Sequence, residues 1–181
     1  MEKNKKRCFI ALDLPREIIN EIKRVQEILK KKNMFMGKFT EPENFHLTLK
    51  FLGEINEEKV EEVKEKLAEI QLKKFETEID SIGVFSEKFI KIVWLHLAGC
   101  EELQGEIDKN LRDLFGKEKR FMSHLTIARV KSIRDREEFL KKLKEIKIPK
   151  IKFVIDSFRL KESILKEKGP AYKTLEEYNL N

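Results

Sequence analysis

One phrase occurs twice. The stretch NFHLTLKF (Asn44–Phe51) and the stretch MSHLTIAR (Met122–Arg129) both carry His-Leu-Thr among apolar residues. The 181-residue chain has three histidines, and two of them open this tripeptide. The repeat reaches beyond the phrase. Each copy reads as a strand, and each is followed by a helix opening about eleven residues after its histidine, near Glu57 and near Asp135. Each helix is then followed by a strand carrying Ile-Asp-Ser, at Ile79–Ser81 and at Ile155–Ser157. A chain with this internal order has to place two equivalent strands in equivalent surroundings.

The rest of the pattern agrees. RCFIALDL (7–14) is an apolar run of buried-strand type. Pro15 opens a helix whose apolar residues Ile18, Ile22, Val25 and Leu29 recur at helical spacing. Further helices are predicted around Val60, Val63, Leu67 and Ile70; around Leu103, Ile107, Leu111 and Leu114; and around Phe139, Leu143 and Ile146. Strands are predicted near 73–85, 89–97, 150–161 and 171–178. No Ser/Gly-rich linker divides the chain, so residues 1–181 read as one α+β domain built from two pseudo-symmetric lobes. In such a pair the two His-Leu-Thr strands can meet in one cleft.

Side chains alternate along a strand. His46 and Thr48 therefore share a face, with Phe45, Leu47 and Leu49 opposite. His124 and Thr126 share a face, with Leu125 and Ile127 opposite. Apolar residues face the helices, which leaves two imidazoles and two hydroxyls on the other side. Such a set suits in-line displacement at phosphorus. One imidazole takes a proton from the attacking oxygen, and the other gives a proton to the leaving oxygen. Threonine hydroxyls can donate to the non-bridging oxygens as charge builds. No step requires a metal or another cofactor. A lone His-x-Thr carries little weight, because a single strand histidine is more often structural; the matched pair gives the motif its weight. His96 has no threonine two residues on and reads as a structural strand residue.

Composition limits the alternatives. Two cysteines, Cys8 and Cys100, cannot build a disulfide framework, and no CxxC occurs, which fits a reducing cytoplasmic setting. The longest apolar stretch is too short to cross a bilayer, and MEKNKKRCFIALDL does not read as a secretory signal. Lys and Glu dominate the 40% of charged residues, a balance common in heat-adapted proteins. The net charge of +6 is uneven: basic residues are in excess over 1–50 and 131–181, and acidic ones over 51–130. A basic balance favours an anionic partner such as RNA, although solvated Lys/Glu helices produce the same count. Two histidines make half a zinc site, with no third ligand clustered near them. There is no phosphate-binding glycine loop and no G-x-S-x-G elbow.

With these residues in view, the chain resembles the 2H phosphoesterases, in particular the RNA 2′,3′-cyclic phosphodiesterases also called 2′-5′ RNA ligases. The resemblance rests on RCFIALDLP, ENFHLTLKFLGE (Glu43–Glu54), SHLTIAR and LKESILKEKGPAY (Leu160–Tyr172), and so covers nearly the whole chain. Ser123 stands where many relatives have proline. The resemblance implies a bilobal fold of two antiparallel sheets facing a central cleft, with helices packed outside. It implies that His46 is the proton donor to the leaving O3′ and His124 the proton acceptor from water. Thr48 and Thr126 would hold the phosphate, Arg129 would help neutralise it, and the product would be a 2′-phosphate. Alternation alone puts Arg129 on the face opposite His124. Phe45 and Phe51 are the candidates for stacking on a base, set against the commoner role of such residues as core. The implied partner is RNA ending in a 2′,3′-cyclic phosphate, an end only RNA can form because it needs the 2′-hydroxyl. A monomer with no membrane contact is expected. Ligation of tRNA fragments and action on a small cyclic nucleotide are the neighbouring readings. A non-catalytic RNA-binding module is the reading from another class, and it would call for an RNP-like array of exposed aromatics.

Overall fold

The computed structural model describes residues 5–167 and 169–181. Residues 1–4 of the N-terminal stretch and Lys168 of the LKESILKEKGPAY stretch lie outside it. The described elements alternate as the repeat requires. Strand β1 (Lys6–Leu12) leads into helix α1 (Arg16–Lys31), a short strand β2 (Met36–Phe39) and a 3-10 turn (Pro42–Asn44). Strand β3 (Leu47–Ile55), helix α2 (Glu57–Ala68) and strand β4 (Phe75–Val84) follow. The order then resumes with β5 (Ile92–Ala98), α3 (Glu101–Asn110), β6 (His124–Ser132) and α4 (Arg136–Lys144). Strands β7 (Ile151–Ile155), β8 (Ser157–Lys166) and β9 (Gly169–Asn179) close the chain.

Local chemistry explains the helix starts. Pro15 precedes the first turn of α1, and Ile18, Ile22, Val25 and Leu29 form its buried stripe. The helices after the two His-Leu-Thr strands are capped alike. The Asn56 side chain accepts from the Lys59 amide at 2.9 Å, and the Asp135 side chain accepts from the Glu138 amide at 2.9 Å. Helices end earlier than the apolar spacing predicts. Ile70, Leu111 and Ile146 lie past the last helical turns, yet all three are buried, so core packing continues after helical hydrogen bonding stops.

The strands form one antiparallel sheet in the order β7-β4-β5-β6-β3-β1-β8-β9, with β2 alongside β6. The order mirrors itself about the β3–β6 junction. Beside each His-Leu-Thr strand lies the strand that precedes it by one helix, β1 or β5. Next comes a strand brought from the other half of the chain. β4 pairs with β5, and β8 pairs with β1. The α+β architecture expected from sequence is present, with two half-sheets that meet at one register pair, Leu47 opposite Leu125. Two details differ from the sequence reading. β2 has only four residues, too short for a periodic signal. The segment predicted as one strand near 150–161 is two: β7 pairs with β4, β8 pairs with β1, and Asp156 of the second Ile-Asp-Ser lies between them.

The core lies between the sheet and its helices. Beneath β3 it holds a charged pair. Lys50 and Asp108 are both about 4% exposed, and Lys50 Nζ donates to Asp108 Oδ1 at 2.5 Å and to the Gly116 carbonyl at 2.8 Å. Gln104 Nε2 and the Glu118 amide donate to Asp108 Oδ2. Burial pushes the Asp108 carboxyl up, but these donors outweigh it and hold it below its usual range. The cluster ties β3 to α3 and to the loop after it, four residues from His46. Lys50→Met would leave a buried carboxylate without its cation. It should lower stability by about 3–5 kcal/mol in urea titrations at pH 7; a loss below about 1 kcal/mol would show that the pair does not hold β3 in place.

Candidate active site

Both histidines of the repeated phrase are held in the same way. Each sits at the entrance to its strand and is half-buried. His46 Nδ1 donates to the Asn44 carbonyl at 2.8 Å, and His124 Nδ1 donates to the Met122 carbonyl at 2.7 Å. A carbonyl can only accept, so the proton of each neutral ring is on Nδ1 and Nε2 carries the free lone pair. Backbone two residues upstream thus fixes both tautomers. His46 Nε2 faces the Thr48 hydroxyl at 3.1 Å. Asn44 itself is anchored, because its side-chain amide donates to the Pro170 carbonyl of β9 at 3.1 Å.

The two strands also share an irregularity. In β6, Ala128 pairs with Val93 and Thr126 with Trp94, so Ile127 has no counterpart on β5. In β3, Lys50 pairs with Ile10 and Thr48 with Ala11, so Leu49 has none on β1. Each extra residue is a β-bulge that shifts the alternation by one. Ile127 and Ala128 are both buried, as are Leu49 and Lys50. The fifth residue after each histidine then returns to the histidine face. Those residues are Arg129 and Phe51, and both are exposed. Strict alternation had put Arg129 on the opposite face, and the bulge at Ile127 corrects that placement. Its guanidinium charge reaches Tyr172, whose phenol is pushed up by burial and pulled back by Arg129. Tyr172 in turn lies edge-on to His46, with ring centroids 4.9 Å apart.

The structure therefore brings His46, Thr48, His124, Thr126, Arg129 and Phe51 to one face of the joined sheet. Phe45 is not among them. It is 7% exposed and belongs to the helix-side core, because it precedes His46 by one residue and points the other way. Sequence reasoning missed several neighbours. Phe9 lies 5.1 Å from the His46 ring and 6.2 Å from Phe51. Phe85 lies edge-on to His124 at 4.7 Å. His96 is the cross-strand partner of His124, and its Nδ1 donates to Asp80 Oδ1 at 2.9 Å. The aspartate of the first Ile-Asp-Ser was the available signal for that pair. Near His46, Asp13 pairs with Arg159 and Lys161. Among the described residues no three His, Cys, Asp or Glu side chains converge as a metal site, and no helix is long and apolar enough to cross a membrane.

Comparison with known proteins gives the family. The family model for LigT-like phosphoesterases matches residues 12–94 and 98–172. A Methanocaldococcus jannaschii protein named RNA 2′,3′-cyclic phosphodiesterase is 33% identical, over 95% of this chain and 99% of its own. A protein of the same name from Thermotoga maritima is 33% identical over 94% of both chains. Among solved structures, TT0787 of Thermus thermophilus covers 96% of this chain and 97% of its own, with a TM-score of 0.78 at 26% identity. Apo LigT of Escherichia coli covers 99% of both chains with a TM-score of 0.78 at 24% identity, a likeness of fold.

Burial dominates the electrostatics of the two imidazoles. His46 is pushed down to about 4, first by burial and further by the Lys161 ammonium, against a smaller upward pull from the Asn44 carbonyl. Burial likewise lowers His124, against the Met122 carbonyl. Both rings of the free protein are therefore neutral at pH 7, with Nε2 bare. Nitrogen-15 NMR of the ligand-free protein should find the Nδ1–H tautomer for both residues, and His46 should protonate only near pH 4. A His46 titration at the ordinary value of about 6.5, or an Nε2–H tautomer, would contradict this geometry.

Proposed function

The chain belongs to the LigT-like phosphoesterase family, and on that premise we propose that it hydrolyses RNA 2′,3′-cyclic phosphodiester ends to 2′-phosphomonoesters. Named relatives of matching length support the substrate. The observation that carries the chemistry is the pair of imidazoles locked by identical backbone contacts, each presenting Nε2 on the same face. One bare Nε2 can take a proton. The other, once protonated, can give one.

The cyclic phosphate lies between the two rings. His124 Nε2 removes a proton from water as the water oxygen attacks phosphorus. The P–O3′ bond breaks in line, and protonated His46 delivers its Nε2 proton to O3′. The Thr48 and Thr126 hydroxyls donate to the non-bridging oxygens, and Arg129 compensates the charge that accumulates there. These roles follow the family pattern carried by the matching motifs. The same pair accommodates an RNA 5′-hydroxyl in place of water, which gives a 2′-5′ linkage; abundant water favours hydrolysis. Proton transfer and charge compensation both rest on side chains, so the reaction needs no metal.

Free-enzyme burial and bound phosphate act in opposite directions on the acid. Burial disfavours the imidazolium of His46, whereas an anionic phosphate beside it favours that form. The kcat/KM profile, which reports the free enzyme, should be a bell displaced to the acid side of about 6.5. The kcat profile, which reports the complex, should move toward alkaline pH. The limbs belong to the coupled pair rather than to either residue.

The decisive experiment uses an RNA oligonucleotide ending in a 2′,3′-cyclic phosphate and identifies the product end. Turnover to a 2′-phosphate, undiminished by EDTA, is expected; loss in EDTA that zinc or magnesium restores would end the metal-free mechanism. His46→Ala and His124→Ala should each cost orders of magnitude, with the double variant little worse. Thr48→Ala and Thr126→Ala should each lower kcat by roughly tenfold to a thousandfold, while the serine variants retain most activity. Serine as damaging as alanine would make the threonines packing residues.

A further inference from the structure

The loop between β4 and β5 runs from Phe85 to Lys91 and reads FSEKFIK. It carries two exposed aromatics, Phe85 at 50% and Phe89 at 72%, and two exposed cations, Lys88 and Lys91. Exposed phenylalanine costs hydration, and two within five residues beside a polar site call for an occupant. The loop has a defined shape. The Phe89 amide donates to Ser86 Oγ at 3.2 Å, buried Ile90 anchors the chain, and the Lys91 carbonyl accepts from the Val130 amide at 2.8 Å. That last bond fastens the loop to β6, one residue from Arg129. At its other end Phe85 meets the His124 ring edge-on and lies 6.0 Å from Trp94. Trp94 rests where a side chain on Gly83 would stand, since a Cβ there would come within 2.5 Å of the indole. The loop thus starts beside His124 at Phe85, carries exposed Phe89, and is fastened to β6 at Lys91.

We propose that this loop is a docking arm for single-stranded RNA beyond the reacting phosphate. Phe89 stacks a base of the approaching strand, and Lys88 and Lys91 sit against its phosphates. Aromatic faces interleaved with cations are the chemistry that holds unpaired strands without reading their sequence, because every base has a π-face and every linkage a charge. A docked protein segment could use the phenylalanines, but the paired lysines and the adjoining phosphate chemistry favour RNA. The arm makes the site selective for an RNA end over a cyclic mononucleotide, which has no second base or phosphate to offer. The inference rests on the proposed cyclic phosphodiesterase activity.

The test compares two substrates on three proteins: wild type, Phe89→Ala, and Lys88→Ala with Lys91→Ala. The substrates are an RNA octamer ending in 2′,3′-cyclic phosphate and a nucleoside 2′,3′-cyclic phosphate. Phe89 touches neither histidine, so its variant should turn over the mononucleotide with unchanged kcat and KM. For the octamer, Phe89→Ala should raise KM by about fivefold or more, the effect of losing one stacked base. The double lysine variant should also weaken the octamer, with a shallower dependence of KM on salt. Octamer KM unchanged in both variants would overturn the docking arm, as would an equal change for both substrates. Wild-type turnover of the octamer reports separately on the activity itself, so the two ideas fail by different readings.

Discussion

Leu47 and Leu125 face each other at the middle of the sheet, the one register pair between β3 and β6 among the described residues. Both are fully buried. Each is the leucine of a His-Leu-Thr phrase, so the residue that joins the half-sheets lies between the two polar residues of its own motif. The alternation of a strand then works in favour of the site: with leucine turned to the core, histidine and threonine on either side of it turn outward together. Joining at the leucines brings both sets onto one surface at equivalent heights. Were the pairing to slip by one residue, the polar and apolar sets would exchange faces, which the buried leucines forbid.

The bulges build on that join. A regular strand would continue outward, inward, outward and deliver Arg129 and Phe51 to the core side. An extra residue between the threonine and the fifth position in each strand buries two neighbours in succession and returns the fifth position to the surface. The two halves use this device for different ends. One presents a guanidinium and the other a phenyl ring, so a symmetric backbone carries an asymmetric site. The asymmetry extends to the flanks, with Asp13 held by Arg159 and Lys161 beside His46, and His96 held by Asp80 beside His124.

The imidazoles are kept neutral by their surroundings and fixed in orientation by backbone carbonyls. This preorganisation has an electrostatic consequence. In the free protein, burial disfavours the charged form of both rings. Tyr172 packs edge-on against the His46 ring and Phe85 against the His124 ring, while His46 Nε2 faces the Thr48 hydroxyl. The buried Lys50–Asp108 cluster performs the complementary task behind β3, since it fixes the strand without placing charge on the reacting face.

Much of this was legible in the linear chain. The repeated phrase and the helical spacing of apolar residues are local signals, set by the 3.6-residue and two-residue periods. They determined the α+β order and identified His46, Thr48, His124 and Thr126 as one set. What the sequence could not carry was pairing. A bulge is a mismatch between two strands, so the return of Arg129 and Phe51 to the site exists only once β5 and β1 lie alongside. Phe45 and Phe51 look alike as letters next to a motif, and only the bulge at Leu49 sends one inward and the other out. His96 lacked any motif, and became a neighbour of His124 because β5 pairs with β6. The single β3–β6 contact, the exchange of β4 and β8 between half-sheets and the exposure of Phe85 and Phe89 are likewise facts of long-range contact. Local propensity encodes the elements, whereas burial and hydrogen bonding between distant segments choose their partners and, with them, the face on which each functional side chain stands.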